Sequence, residues 1–143
     1  MKSVIKLLLP LVLIAAGMEL AQAGIAVVVN ADNPTDMLSK ESAARLFLKK
    51  DTSFKTGLKA EPIDHSNESQ LRKKFYTEVA NKNPSQMISY WSRMIFTGKA
   101  APPRSVGNDD EEVINAIMNN SGAIGYIDTR SVDKRVKVLL TVN

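Results

Sequence analysis

Apolar and polar positions alternate along residues 24–143 in a way that separates strands from helices. Ile25 to Asn30 (Ile-Ala-Val-Val-Val-Asn) is an almost unbroken β-branched run, the pattern of a strand buried on both faces of a parallel or mixed sheet. Asp32-Asn33-Pro34 marks a turn. Ser39 is placed to cap a helix reaching about Leu48, with Ala43, Ala44, Phe47 and Leu48 on one face. Lys49 and Lys50 follow, where cations oppose the helix dipole. After a loop containing Gly57, Ala60 to Asp64 reads as a short strand weakened by Pro62. Leu71, Phe75 and Val79 recur every four residues and predict a helix starting near Asn67.

The next helix is the best marked. Asn83 caps it, Pro84 takes its first position and Gln86 completes a capping box. Met87, Ile88, Trp91 and Ile95 form one stripe, and Gly98 ends it. Lys99 to Gly107, with Pro102-Pro103, is a loop. Asn108 or Asp109 opens a fourth helix with Val113, Ile114, Ile117 and Met118 on its apolar side. Asn119-Asn120-Ser121-Gly122 stops it. Ala123 to Ile127 and Val136 to Val142 return as strands. The order β-α-β-α-α-α-β-β, without repeats or low-complexity tracts, predicts one α/β sandwich. A small, mostly parallel sheet would carry helices on both faces.

The first 23 residues follow a different pattern. Lys2 and Lys6 give a basic start, Leu7 to Ala16 is apolar apart from Pro10, and Ala21-Gln22-Ala23 puts small residues where a signal peptidase reads. This is the three-part form of a secretory leader, with cleavage expected after Ala23. The apolar run falls short of the roughly 20 residues that span a bilayer. The competing reading is an uncleaved anchor. Export makes nucleic acid a poor partner and points to the periplasm. The formal net charge is +4. Lys2, Lys6 and Glu19 leave with the leader, so the mature chain stays mildly basic, which suits anions or a solvated surface. No cysteine is present, so packing alone must hold the domain, and a periplasmic setting fits better than a disulfide-stapled extracellular one.

Candidate chemistry centres on Asp64-His65-Ser66-Asn67-Glu68-Ser69-Gln70, where a strand ends and a helix begins. Free backbone N–H groups and the helix dipole at such a point favour an anion. Ser66, Asn67 and Ser69 add side-chain donors, and Arg72 lies one turn on. Simple capping by Asn67 or Ser66 is the competing reading, and Glu68 opposes an anion. Asp64, His65 and Ser66 carry the residue types of a catalytic triad, but neighbours on an extended chain point apart, whereas a triad converges. One histidine without cysteines does not fill a zinc ligand set. Asp109-Asp110-Glu111-Glu112 offers oxygen ligands for calcium or, at a helix start, compensates the dipole. Trp91 reads as core, or with Tyr90 and Arg93 as a recognition surface.

Several segments together resemble the periplasmic phosphate-binding proteins of ABC importers. Gly122-Ala123-Ile124-Gly125-Tyr126 looks like that family's closing segment. Ile25 to Asn30, the Leu38-to-Leu48 helix with Arg45-Leu46-Phe47-Leu48-Lys49-Lys50, and Trp91 with Phe96-Thr97-Gly98-Lys99 are also similar, the last to short, single-lobe relatives. The resemblance covers nearly all of residues 24–143. It implies a single-lobe periplasmic-binding-protein-like sandwich with a small mixed sheet. The family holds phosphate with an Arg, three residues, then Ser-Gly-Thr at a helix start. Counting back from Phe75 puts that pattern on His65 and Ser69-Gln70-Leu71, where only Ser69 is retained. Arg72 matches a common Arg just beyond.

The resemblance thus implies a periplasmic solute-binding protein for phosphate or a similar oxyanion. The expected ligand residues are His65, Ser66, Asn67, Ser69, Gln70 and Arg72, without cofactor, metal or catalysis. Full binding proteins of this type close two lobes around the ligand; one lobe leaves an anion partly in water. Weak binding, or a second lobe supplied in trans, would follow. The alternative is a protein-interaction module of the cell envelope that keeps the fold without the ligand, docking through the Tyr90–Arg104 region. A hydrolase is a distant third.

Overall fold

Every residue from Ile25 to Val29 is at most 1% exposed, which places the first strand, β1 (Ile25–Asn30), inside the sheet. A computed structural model of the chain describes residues 24–143; the leader read from residues 1–23 lies outside the described residues. After β1 come α1 (Lys40–Phe47), β2 (Glu61–Asp64), α2 (Gln70–Ala80), α3 (Pro84–Phe96), β3 (Arg104–Ser105), α4 (Asp110–Met118), β4 (Ala123–Asp128), a 3-10 turn (Thr129–Ser131) and β5 (Val136–Val142).

The sheet runs in the order β3-β2-β4-β1-β5. β1 is antiparallel to β4 and to β5, with Val27 opposite both Tyr126 and Leu140. β2 is parallel to β4 and β3, over two residue pairs each. The expected mostly parallel sheet is therefore a mixed one whose longer ladders are antiparallel. The strands that pair are far apart in sequence, so local pattern carries no information on their relative sense. Pro62 is tolerated because it pairs on the β4 side, while β3 reaches only Ile63 and Asp64. β3 itself lies within the segment expected to be loop, and two residues are too few to show a period.

Alternation along β1 sends odd residues to one face and even residues to the other. Ile25, Val27 and Val29 meet Ala43, Leu46 and Phe47 of α1, Phe75, Tyr76 and Val79 of α2, and Met87 and Trp91 of α3. Ala26 and Val28 meet Val113, Ile114 and Ile117 of α4. Helices thus cover both faces, three against one. The larger core is organised by rings: Phe75 stacks on Tyr126 at 3.9 Å and 5°, and Phe47 meets Phe75 edge-on at 4.8 Å. Such pairs add about 0.5–1.5 kcal/mol beyond the area they bury.

The local signals for α1 and α3 are met in detail. The Ser39 hydroxyl accepts from Ser42 N, and both halves of the Asn83–Gln86 capping box form. The stripe on α3 is different from its expectation. Met87 and Trp91 are buried, but Ile88 is 69% and Ile95 58% exposed. Met118 of α4 is likewise half exposed, not core. The Gly-Ala-Ile-Gly-Tyr segment is explained by crowding. A Cβ on Gly125 would stand 2.7 Å from a Val113 methyl of α4, and one on Gly122 would collide with the Lys59 carbonyl.

Candidate functional site

The end of β2 puts a carboxylate inside the protein. Asp64 is 3% exposed. Its Oδ2 accepts from the Tyr76 hydroxyl at 2.7 Å and from Arg72 Nε at 3.4 Å. Its Oδ1 accepts from the Tyr126 hydroxyl and from His65 N at 2.9 Å. The network is possible because Tyr76 is one α2 position past Phe75 and Tyr126 lies at the middle of β4, so both hydroxyls reach over the ring cluster. Burial first, and the Asp64 charge second, push both phenols well above their usual range. The Arg72 guanidinium also lies 5.0 Å from the Tyr76 ring centre, a cation–π distance. Nothing in the sequence reading assigned Asp64 or the two tyrosines this role. The available signal was an Asp closing an apolar strand and tyrosines set among core positions.

His65 is 1% exposed. Its Nε2 donates to the Tyr126 carbonyl at 2.7 Å, so this nitrogen carries a proton. Asp110 Oδ1 stands 3.8 Å from the same nitrogen. Nδ1 is buried without a hydrogen-bond partner among the described residues. Ser66 donates its N–H to the Gly107 carbonyl at 2.9 Å, and its hydroxyl bonds the Asn108 side chain. Asp64 and His65 share Tyr126 as a partner, but the His65 ring bonds a backbone carbonyl and Ser66 bonds Gly107 and Asn108, so the three side chains do not converge as a triad.

Helix α2 starts at Gln70, three residues later than expected. Ser69 N closes a turn on the Ser66 carbonyl at 3.0 Å, so residues 66–69 are not helical. Ser69 is the N-cap, accepting from Arg72 N at 3.1 Å. Of the six expected ligand residues, His65, Ser69 and Arg72 spend their side chains on the protein, and Ser66 bonds a neighbouring loop. Asn67 and Gln70 face solvent.

Two concavities flank this turn. One, of about 650 Å³, opens beside Leu71 and Asn108 and is walled by Asp109, Asp110, Glu112 and Asp128. Here Asp109 is the α4 N-cap, with Asp110, Glu111 and Glu112 in the first turn. Asp110 also accepts from the Ser131 hydroxyl at 2.7 Å and from Asp128 N at 3.1 Å. Among the described residues, no cluster of three or more His, Asp or Glu is arranged to hold a metal ion. The other concavity, of about 450 Å³, is apolar. It runs from Asn67 and Arg72 along Ile88, Trp91 and Ile95 to Pro102 and Pro103.

The architecture is that of the periplasmic phosphate-binding proteins, so the resemblance read in Gly122 to Tyr126 holds at the level of fold. A Clostridium perfringens protein assigned as a phosphate ABC transporter substrate-binding protein, solved with bound phosphate, superposes with a TM-score of 0.66 at 19% identity over 82% of this chain and 44% of its own. An ABC-type phosphate transport receptor from Vibrio cholerae gives 0.65 at 24% identity, over 82% and 45%. PstS from Borrelia burgdorferi gives 0.58 at 17% identity, over 82% and 47%. The chain thus spans less than half the length of these solved structures. No protein-family model and no curated protein matches the sequence.

Proposed function

We propose that residues 24–143 form a periplasmic solute-binding-type lobe that works by docking on another envelope protein and has no tight phosphate site of its own. The observation behind this reading is the direction of Arg72. Its guanidinium is turned inward onto Asp64 at 3.4 Å, with only 12% of the side chain exposed. Freeing it for a ligand would leave a buried carboxylate short of a counter-charge, and breaking such a pair costs about 3–5 kcal/mol. Asp109, Asp110, Glu112 and Asp128 beside the first turn of α2 further disfavour an anion there. The partner class is an envelope protein or a second lobe supplied in trans, and the role is non-enzymatic. The deciding experiment is titration of the chain with inorganic phosphate, followed by backbone amide shifts. Silence at residues 65–71 in millimolar phosphate is expected; saturable shifts clustered there would overturn the proposal.

Two observations favour a second reading, an oxyanion held at this turn. Asn67 and Gln70 are exposed at the open start of α2, and the Clostridium perfringens neighbour carries phosphate. On that reading Ser69→Ala weakens phosphate binding by about 1–3 kcal/mol, the range for a hydrogen bond to a charged group. On the docking reading the same change costs only a helix cap, about 0.5–2 kcal/mol of stability.

A further inference from the structure

Arg93 is set apart from the other arginines by its lack of an acidic partner. The chain has six arginines. Arg45, Arg72, Arg104, Arg130 and Arg135 each have a carboxylate at 3.9 Å or less. Arg93, exposed on α3, is the one that has none among the described residues. Its own stretch of chain supplies none either, because residues 79–108 contain no Asp or Glu. An arginine without an internal acid keeps its planar fork of donors free for an external one.

Arg93 lines a hollow of about 290 Å³ together with Lys82, Ser85, Gln86, Ser89 and Tyr90. Lys82 likewise has no carboxylate at ion-pair distance among the described residues. Its Nζ stands 5.4 Å from the centre of the Tyr90 ring, a cation–π distance. That ring is held in place. Its hydroxyl donates to the Leu48 carbonyl, just past α1, at 2.6 Å, and it meets Trp91 edge-on at 4.9 Å. Burial raises the Tyr90 phenol above its usual range, and the positive charge of Arg93 works against that rise, so the guanidinium stands near the same ring. Gln86 accepts from Asn83 N through Oε1 at 2.9 Å, which orients the side chain and leaves its amide N–H groups as donors. Ser85 and Ser89 are exposed and add hydroxyls. The lining therefore gathers two cations and three neutral donor groups and contains no carboxylate. The acid-walled concavity beside α4 has the opposite character.

We infer that the hollow lined by Lys82 and Arg93 is an electrostatic docking point for an acidic patch on a partner protein. One carboxylate takes two parallel bonds from the Arg93 fork. A neighbouring carboxylate faces the Lys82 ammonium, and the serine hydroxyls donate to the oxygens that remain. The cations are on this chain and the complementary charge comes from the partner. At about 290 Å³ the hollow is smaller than the roughly 300–1,000 Å³ of pockets that enclose free small molecules, so it suits the tips of side chains carried on another surface. Its hydroxyl and amide walls offer an acyl chain no apolar slot, which disfavours a lipid. The inference rests on the docking reading given above and names the surface and the partner chemistry.

The test is selection of a random displayed peptide library against the purified chain, followed by synthesis of the enriched peptides. Enriched sequences should carry neighbouring Asp or Glu residues and should shift the amides of residues 82–93. Arg93→Gln, at an exposed position, should leave the urea midpoint in place and weaken these peptides about tenfold or more, the loss expected of an interface anchor. Arg93→Lys should restore part of that loss, since it keeps the charge and loses the fork. Lys82→Gln should weaken binding less and flatten its salt dependence. Enrichment without carboxylates, acidic peptides that map elsewhere, or binding indifferent to Arg93→Gln each overturn the inference and leave the docking reading in place. No enrichment at all also removes it, while the docking reading still answers to the phosphate titration at residues 65–71. Saturable shifts at residues 82–93 with inorganic phosphate in place of peptide would assign the hollow to a free oxyanion. Co-sedimentation with phosphatidylglycerol vesicles that is lost in Arg93→Gln would assign it to a membrane. Either result overturns the inference.

Discussion

Replacing Asp64 by Asn tests whether the buried carboxylate organises the end of β2. The change keeps the shape and removes the charge. Arg72, mostly enclosed, then faces an amide where it had an anion, and removing one partner of a buried pair costs about 3–5 kcal/mol. The Tyr76 and Tyr126 hydroxyls now compete with Arg72 and His65 N for a single amide oxygen, where the carboxylate offered two. Each donor left unpaired costs a further 1–3 kcal/mol or so, though relaxation around the site keeps the total near the upper end of the pair's range. Domains of this size have about 5–15 kcal/mol to lose. The assay is urea unfolding followed by fluorescence of Trp91, the sole tryptophan and itself buried. With a slope of about 1–3 kcal/mol/M, the midpoint should fall by roughly 2 M. A loss below about 1 kcal/mol would show that Arg72 is not held by Asp64, and with it would go the argument that the arginine is withheld from a ligand. The pairing is tested separately by a cycle with Tyr76→Phe, in which contacting residues couple by about 0.5–3 kcal/mol.

Two further outcomes are expected. Gly125→Ala forces a methyl to within 2.7 Å of Val113 on α4 and should destabilise by about 1–3 kcal/mol, the usual cost of overpacking; urea unfolding checks this, and a neutral result would mean that α4 is loosely seated. Arg135 bonds Glu111 of α4 and Asp133, holding the Asp133 carboxyl down at about 2 and lowering that of Glu111. Folded values below the unfolded ones stabilise above the unfolded range near pH 4 and lose that contribution as pH falls toward 2. The stability gap between the natural chain and Arg135→Gln should therefore be small, because both carboxylates are exposed and Arg135 is only partly buried, and should close between pH 5 and 2. A gap that widens on acidification would refute the assignment.

The parts of the fold that sequence reading recovers are those in which neighbouring residues decide the outcome. Asn83, Pro84 and Gln86 are within one turn, so their capping box was readable before any tertiary contact was known. β1 was readable because five consecutive apolar residues suit both faces of a sheet. The start of α2 was misplaced because Ser66, Asn67 and Ser69 can all cap, and a turn to Ser66 selects among them. Periodicity also placed Ile88 and Ile95 with Trp91 as core, since a repeat of three or four marks an apolar face without saying whether this chain or another covers it. The Asp64 network was not legible, because its partners lie 8, 12 and 62 positions away and no local pattern brings them together. Asp109 as the cap of α4 was legible, as a run of acids at a helix start.

The strand order has a consequence for how the protein is made. β1 lies between β4 and β5, with Ile25 opposite both Asp128 and Val142. β1 therefore gains no ladder until β4 is available, and its second only with β5. Loop closure over a hundred residues precedes any gain from these ladders, a topology that folds slowly. A chain that stops short of β5 leaves one edge of β1 unpaired.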